Sequence, residues 1–324
     1  MKIKGVKASG TARRKIVTPT TSPKVQRILA PTDFSGQSLA GVRYAKNLRL
    51  KFGSSLVLLH VIEPTPLMAG GESFVLAQSD SEGAAWALKE LAKLARREVA
   101  DKKQVTSLVR TGKPFHEITT EAGESQVDLI VIATHGYTGA QRVLLGSTAE
   151  CVVRHAPCPV LTVRQHNAPG RVRQIPQLKL RKILVPLDFS NLSKAALPWA
   201  TFLAAQFRAE IVLLNVVEKF PIDYLLGGEL MNHTIVPLMK QSEADLEGIA
   251  SGLSQSTGVN LSAVVREGRP YEEICAAAKA LAADLIVLTT HGYTGLKHVW
   301  LGSTAERVVR HALCPVLVVR DLKA

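Results

Sequence analysis

Short apolar runs alternate with longer amphipathic segments along most of this chain. In the first half the runs are Arg27 to Pro31 (RILAP), Ser54 to Val61 (SSLVLLHV), Val105 to Arg110, Asp128 to Ala133 and Pro159 to Val163. Each is short and rich in Val, Ile and Leu, the pattern of a strand buried on both faces. The segments between them predict helices near 36–52 and 80–103. In the latter, Trp86, Leu88, Leu91, Leu94 and Ala95 recur at helical spacing and are expected to face the core. Pro114 sits where a first helical turn tolerates proline, and that helix is expected to run to about Gly123. Residues 62–79, with Pro64, Pro66, Gly70 and Gly71, predict a long loop.

The second half repeats the pattern. Lys182 to Leu187, Glu210 to Val216, Leu261 to Arg266, Asp284 to Thr289 and the run from Pro315 predict strands, with helices near 191–207, 235–253 and 270–281. Residues 131–164 recur as 287–320 at a constant offset of 156, which pairs His135 with His291, Gly146 with Gly302 and Cys158 with Cys314. Two copies at so long a period indicate a duplicated domain rather than a solenoid. The expected organisation is a basic tail (1–24), a first domain (25–164), a linker (165–180) and a second domain (181–320). The fold class is α/β: two tandem flavodoxin-like, Rossmann-like domains, each a five-stranded parallel sheet in the order 3-2-1-4-5 with helices on both faces. That order leaves a crevice at the carboxyl ends of strands one and four, where ligands bind in such sheets. Asp33 lies at the first end and His135-Gly136 at the second.

The repeated stretch carries the candidate chemistry. A buried strand is followed by a polar turn, His135-Gly136-Tyr137-Thr138-Gly139, and then by Gly146-Ser147-Thr148-Ala149-Glu150, which opens a helix. Ser147 with Glu150, and Ser303 with Glu306, have the spacing of a capping box. The glycines allow positive φ and close backbone approach, and a helix N-terminus offers N–H groups to an anion. His155 suits that helix's C-terminal dipole, and Pro157 and Pro159 end it. The bland alternative is that Ser147 only caps and the glycines only turn the chain.

Charge changes the picture little. The net charge is +13, but seven basic side chains without an acid lie in residues 1–24 and seven more in 151–187, so the remainder is near neutral. The tail has neither aromatic residues nor helical period. It reads as a solvated, disordered arm, and neither nucleic acid nor a membrane is expected as a partner. The four cysteines, Cys151, Cys158, Cys275 and Cys314, show no metal spacing and read as apolar residues in a reducing compartment. With no apolar h-region at the N-terminus and no run long enough to span a bilayer, a cytoplasmic location is expected.

Pro31-Thr32-Asp33-Phe34-Ser35, Leu59-His60-Val61 and His135-Gly136 followed after nine residues by Gly146-Ser147 resemble the universal stress protein family. Pro186-Leu187-Asp188-Phe189-Ser190, Leu214-Asn215-Val216 and His291-Gly292 followed by Gly302-Ser303 repeat the resemblance. One branch of that family binds ATP through G-x-x-G, nine residues, G-S or G-T. The resemblance implies that Gly136, Gly146, Ser147 and Thr148, and Gly292, Gly302, Ser303 and Thr304, hold phosphates. It places Pro31, Thr32 and Asp33, and Pro186, Leu187 and Asp188, on the ribose or adenine side, with Val61 and Val216 lining the adenine pocket. His135 and His291 shape the turns. Ala133 and Thr289 stand where the family has its first glycine, and the branched Thr289 adds more bulk than Ala133. ATP, AMP and ADP are the implied ligands, with Mg as the accompanying ion.

Three readings follow. The leading one is a nucleotide-binding stress protein. The second is a structural or partner-binding stress protein whose crevices take no nucleotide. The third is an enzyme using ATP, but the sequence has no P-loop and no kinase motif set, so no catalytic residue or protein metal site is assigned and slow hydrolysis or self-phosphorylation is the most it would do. The final strands, Pro159 to Val163 and Pro315 to Val319, are edges in the expected order. Unpaired edges invite pairing, so the halves are expected to pack through them about a pseudo-twofold, with a crevice in each half and a homodimer of whole chains as a further expectation.

Overall fold

A computed structural model of the chain describes residues 23–64, 67–69, 72–74, 77–99, 104–134, 145–164, 178–218, 228–290 and 302–320. The expectations for the tail to residue 22, for linker residues 165–177 and for the two polar turns lie outside these residues.

In the first half, β1 (Arg27–Pro31), α1 (Ser38–Phe52) and β2 (Ser55–Ile62) are followed by a small hairpin, β3 (Leu67–Ala69) with β4 (Glu72–Phe74). Then come α2 (Ala77–Leu94), β5 (Val105–Thr111), α3 (Pro114–Glu124), β6 (Leu129–Ala133), α4 (Ser147–His155) and β7 (Val160–Val163). The second half gives β8 (Lys182–Pro186), α5 (Asn191–Lys194), α6 (Leu197–Phe207), β9 (Glu210–Val217), α7 (Gly228–Thr257), β10 (Leu261–Glu267), α8 (Pro270–Ala280), β11 (Leu285–Thr289), α9 (Ser303–His311) and β12 (Val316–Val319).

Apart from the β3–β4 hairpin, the described strands form one ten-stranded sheet, β10-β9-β8-β11-β12-β7-β6-β1-β2-β5. Within each half of this sheet every pairing is parallel and the order is the expected 3-2-1-4-5. The halves meet where β12 pairs antiparallel with β7, matching Val316 with Thr162, Leu317 with Leu161 and Val318 with Val160. Thr162 also donates its hydroxyl to the Val316 carbonyl at 3.1 Å. The two edge ladders thus satisfy one another.

The central strands are buried throughout, as β6 shows from Leu129 to Ala133. Helices α1, α2, α6 and α7 bury one face of the sheet, and α3, α4, α8 and α9 bury the other. Both layers of apolar contact run across the seam without a break, so the halves share a core. Helix α1 comes closest to the sheet at Gly41, where an added Cβ would lie 3.2 Å from the Ala133 backbone nitrogen.

Several expectations need correction. The 62–79 loop contains the β3–β4 hairpin and the start of α2. The helix placed at 80–103 begins at Ala77 and gives way to a π-helical turn over Ala95–Val99. Trp86 and Leu88 are 55% and 44% exposed rather than core; α2 buries Ala87, Leu91 and Leu94, a narrower stripe than helical spacing alone suggests. The helix placed at 191–207 is broken into α5 and α6, since Pro198 lacks the N–H that would bond back across the break. The helix placed at 235–253 spans Gly228–Thr257 and runs through Pro237.

Candidate functional site

The carboxyl ends of β1 and β6 are neighbours, as are those of β8 and β11. Each first strand ends in a tight turn built from its own polar residues. Asp33 Oδ1 accepts the Ser35 N–H at 3.0 Å, and Asp188 Oδ1 accepts the Ser190 N–H at 3.0 Å and the Ser190 hydroxyl at 2.6 Å. The intervening Phe34 and Phe189 adopt φ of 62° and 63°. A bulky residue in the left-handed region costs on the order of 1–2 kcal/mol, and the same cost recurs at the same place in both halves. It holds each aspartate half-buried at the strand end.

The next strand supports this turn from the side. Asn215 donates to the Leu187 carbonyl at 2.7 Å, and His60 Nδ1 lies 2.8 Å from the Thr32 carbonyl. Thr32 adds a hydroxyl contact to Ser38 at 2.9 Å, whereas its counterpart Leu187 is simply buried.

The fourth strands hand over to helices α4 and α9. The Gly146 N–H donates to the Thr134 carbonyl at 2.7 Å, and the Gly302 N–H to the Thr290 carbonyl at 2.7 Å. These bonds fix each helix start beside its strand end. The capping-box expectation fails. Gly146 and Gly302 are the N-caps, among the described residues no side chain caps either helix, and Ser147 and Ser303 are the first helical residues. Gly146 and Gly302 have φ of −61° and −56°, so positive φ is not what requires glycine there. The first-turn N–H groups of a helix can bond an anion, and glycine at the N-cap supplies no side chain to compete for them. Glu150 and Glu306, released from capping, form a ring across the seam instead. Arg154 reaches Glu150 at 2.7 Å and Glu306 at 3.3 Å, and Arg310 reaches Glu306 at 2.9 Å and Glu150 at 3.6 Å.

In the second half these parts enclose a crevice of about 550 Å³. Pro186, Leu187, Asp188, Val216, Thr289, Gly302, Ser303 and Thr304 all line it. In the first half Pro31, Thr32, Asp33, Val61, Ala133, Gly146, Ser147 and Thr148 occupy the equivalent elements. Ala133 and Thr32 are buried, and Asp33, Val61, Gly146 and Thr148 are half-buried. His135, Gly136, His291 and Gly292 fall outside the described residues. The crevice also draws on residues that sequence reasoning missed: Ser193, Asn215, Glu218, Arg269, Tyr271 and Arg307. The repeated Gly112-Lys113-Pro114 and Gly268-Arg269-Pro270 after the third strands were the available signal. Gly112 and Gly268 have φ of 152° and 147°, and a Cβ there would strike Glu117 or Glu273 at 2.7 or 2.9 Å. That turn delivers the Lys or Arg to the crevice end of the sheet.

The cysteines stand apart from this chemistry. Burial pushes the Cys158 and Cys314 thiols up to about 12, so both stay protonated near neutral pH. Among the described residues no cluster of three or more His, Cys, Asp or Glu side chains is arranged to hold a metal ion. No described helix is long and apolar enough to cross a membrane.

Comparison with known proteins gives a consistent result. Residues 24–164 and 179–320 each match the model of the universal stress protein family. A universal stress protein of Methanocaldococcus jannaschii is 37% identical over 143 residues, covering 44% of this chain and 84% of that protein. One from Mycolicibacterium smegmatis is 25% identical over 300 residues, 90% of this chain and 96% of its own length. The crystal structure of a universal stress protein from Archaeoglobus fulgidus shares the fold across 92% of this chain and 97% of that one, with a TM-score of 0.64 at 23% identity.

Proposed function

The chain belongs to the universal stress protein family, with two copies of the domain in tandem, and from that premise we propose that it is a stress-response protein that binds an adenine nucleotide, ATP foremost, at the carboxyl ends of its strands. The observation that carries this reading is the convergence of Asp188, Val216, Gly302 and Ser303 on one crevice. Its volume of about 550 Å³ suits a small-molecule ligand, since such sites run to roughly 300–1,000 Å³.

The donor set fits the ligand. Val216 and Leu288 offer apolar wall to a base, Asp188 accepts hydrogen bonds from ribose hydroxyls, and the uncapped start of α9 receives phosphate. Glycine at 302 keeps the backbone within reach of that phosphate, since any side chain would stand between them. Mg would enter with the phosphates. ATP contributes its charge and its base as recognition handles, and nothing in this reading requires it to be turned over. The first half, with the same turn at Asp33 and the same helix start at Gly146, is proposed to bind likewise.

The test has two arms. Mass spectrometry of the protein denatured after purification should release an adenine nucleotide. Equilibrium dialysis with labelled ATP should show binding that Gly302→Val removes from the second half and Gly146→Val from the first. Full binding in the double variant would refute the site, and a partner-binding role for the crevices would then lead.

A further inference from the structure

The second-half crevice is lined by charges of both signs. Asp188 and Glu218 follow β8 and β9, Arg269 is the N-cap of α8 and Arg307 lies in α9. The Arg307 guanidinium carbon sits 4.9 Å over the centre of the Tyr271 ring. Stacking occupies the face of the guanidinium and leaves its N–H edge for an anion. No carboxylate lies within ion-pair distance of Arg307 among the described residues. Tyr271 is itself oriented, because its hydroxyl donates to Glu272 at 2.8 Å. Arg269 follows the Gly268 turn and lies 3.5 Å from the same Glu272 carboxylate. Both arginines are exposed at the rim, so neither is required by the core.

The first half differs at these positions, and His116 stands where Glu272 does. Lys113 replaces Arg269, Phe115 replaces Tyr271 and Cys151 replaces Arg307. The ring contact beneath is retained: Phe115 lies 6.0 Å from His155 as Tyr271 lies 6.0 Å from His311. One cation is missing from α4, and the remaining one is a lysine without the flat donor fork of arginine.

We propose that Arg307, stacked on Tyr271, and Arg269 make the second-half crevice a polyphosphate site that discriminates for ATP over AMP, and that the first-half crevice lacks this discrimination. The inference rests on the nucleotide reading above and adds to it which half takes the more highly charged ligand and through which residues. The helix start accepts one phosphate in either half. A chain of three phosphates extends past it toward the rim, where only the second half has two arginines to meet it.

The test exchanges the distinguishing residue between halves. The full chain and its Arg307→Cys, Cys151→Arg and Arg269→Ala variants are titrated calorimetrically at low ionic strength with ATP, AMP and inorganic tripolyphosphate. Thermal melts confirm folding, which substitution of the exposed Arg269 and Arg307 should leave unchanged and which is checked separately for the half-buried Cys151. The unsubstituted chain should show one tight and one weaker class of ATP site. Arg307→Cys should weaken the tight class by about tenfold, the loss expected for one charge-assisted hydrogen bond, while AMP affinity changes by less. Cys151→Arg should tighten the weaker class for ATP. Arg307→Lys, which keeps the charge and loses the fork, should fall between. An unchanged ATP-to-AMP ratio in Arg307→Cys and Arg269→Ala overturns the inference and leaves the nucleotide reading standing. Tripolyphosphate binding that depends on Arg307, with no binding of either nucleotide, overturns the nucleotide reading and supports the polyphosphate site. Absence of binding by all three ligands overturns both.

Discussion

The first and second halves use the same five-stranded order, yet they differ in how their first helices and their crevice rims are made. In the first half α1 runs unbroken from Ser38 to Phe52. In the second, Pro198 stands where Arg43 does, and the same stretch is split into α5 and α6. Arg43 pairs with Glu98 at 2.8 Å, an ion pair the second half cannot form at that position. At the crevice the contrast is Cys151 against Arg307, and Ala133 against Thr289. The strands and the seam, by comparison, are nearly superposable in role. After duplication the shared sheet leaves little freedom inside, while helix ends and rims remain free to diverge.

The seam provides the largest effect and the strongest test of sameness. Leu161 and Leu317 face each other across it at 4% and 2% exposure. Leu161→Ala and Leu317→Ala should each cost about 2–5 kcal/mol. Because the core is continuous, urea denaturation should show one cooperative transition in both variants, with closely similar losses. Two separated transitions would mean that the halves are energetically independent despite the shared sheet.

Acid should separate the halves. The hydrogen bond and charge of Arg43 hold the Glu98 carboxyl below its usual range, against the opposing effect of burial. A carboxylate whose folded pKa is depressed stabilises the fold above its unfolded value, near about pH 4.3. That stability disappears as the pH falls through the folded value. Arg43→Gln should therefore cost about 1 kcal/mol at pH 7 and nothing once Glu98 is protonated in both states. Chemical denaturation of the two proteins from pH 7 to pH 3 would show converging curves. Parallel curves would show that the pair does not contribute.

A smaller contrast lies at the ends of α1 and α6. Gly53 ends α1 with φ of 70°, while Arg208 ends α6 with φ of 56°. Arg208→Gly should relieve strain and raise stability by less than about 1 kcal/mol, part of the gain being offset by the freer unfolded chain. Gly53→Arg should do the reverse. Thermal melting resolves both, and a stabilising Gly53→Arg would contradict the account.

Much of this was legible in the sequence because burial on both faces forces long apolar runs. The strands followed from those runs and the duplication from the 156-residue offset, while the order rested on the flavodoxin-like pattern and the pairing of Pro159 to Val163 with Pro315 to Val319 on their edge positions and the family resemblance. Helix details were less legible. Composition suggested that Trp86 and Leu88 join the buried stripe of α2 because both are large and apolar, but Trp86 lies five residues from Leu91, about 140° around the helix, and both sit outside the stripe of Ala87, Leu91 and Leu94. The S-x-x-E spacing at Ser147 and Ser303 suggested a cap, but the N-cap falls one residue earlier, at glycine, and the two glutamates face the seam. Asp33, Asp188, Gly146 and Gly302 announced themselves by repetition. Arg307 did not, because a lone arginine in a helical turn looks like any solvated charge until the fold sets it beside the crevice, and for Arg269 the repeated Gly-Lys/Arg-Pro turn was the one signal.

The measurement that bears most directly on the central claim is ATP binding by a Ser303→Asp variant. Ser303 is exposed at the uncapped first turn of α9. A carboxylate there favours the helix dipole, so stability should be unchanged or raised by about 0.3–1 kcal/mol. The same negative charge occupies the place proposed for phosphate. Calorimetric titration should therefore show ATP binding lost from the second half in a protein at least as stable as the original. Undiminished ATP affinity and stoichiometry in that variant would contradict the assignment of the start of α9 as the phosphate site.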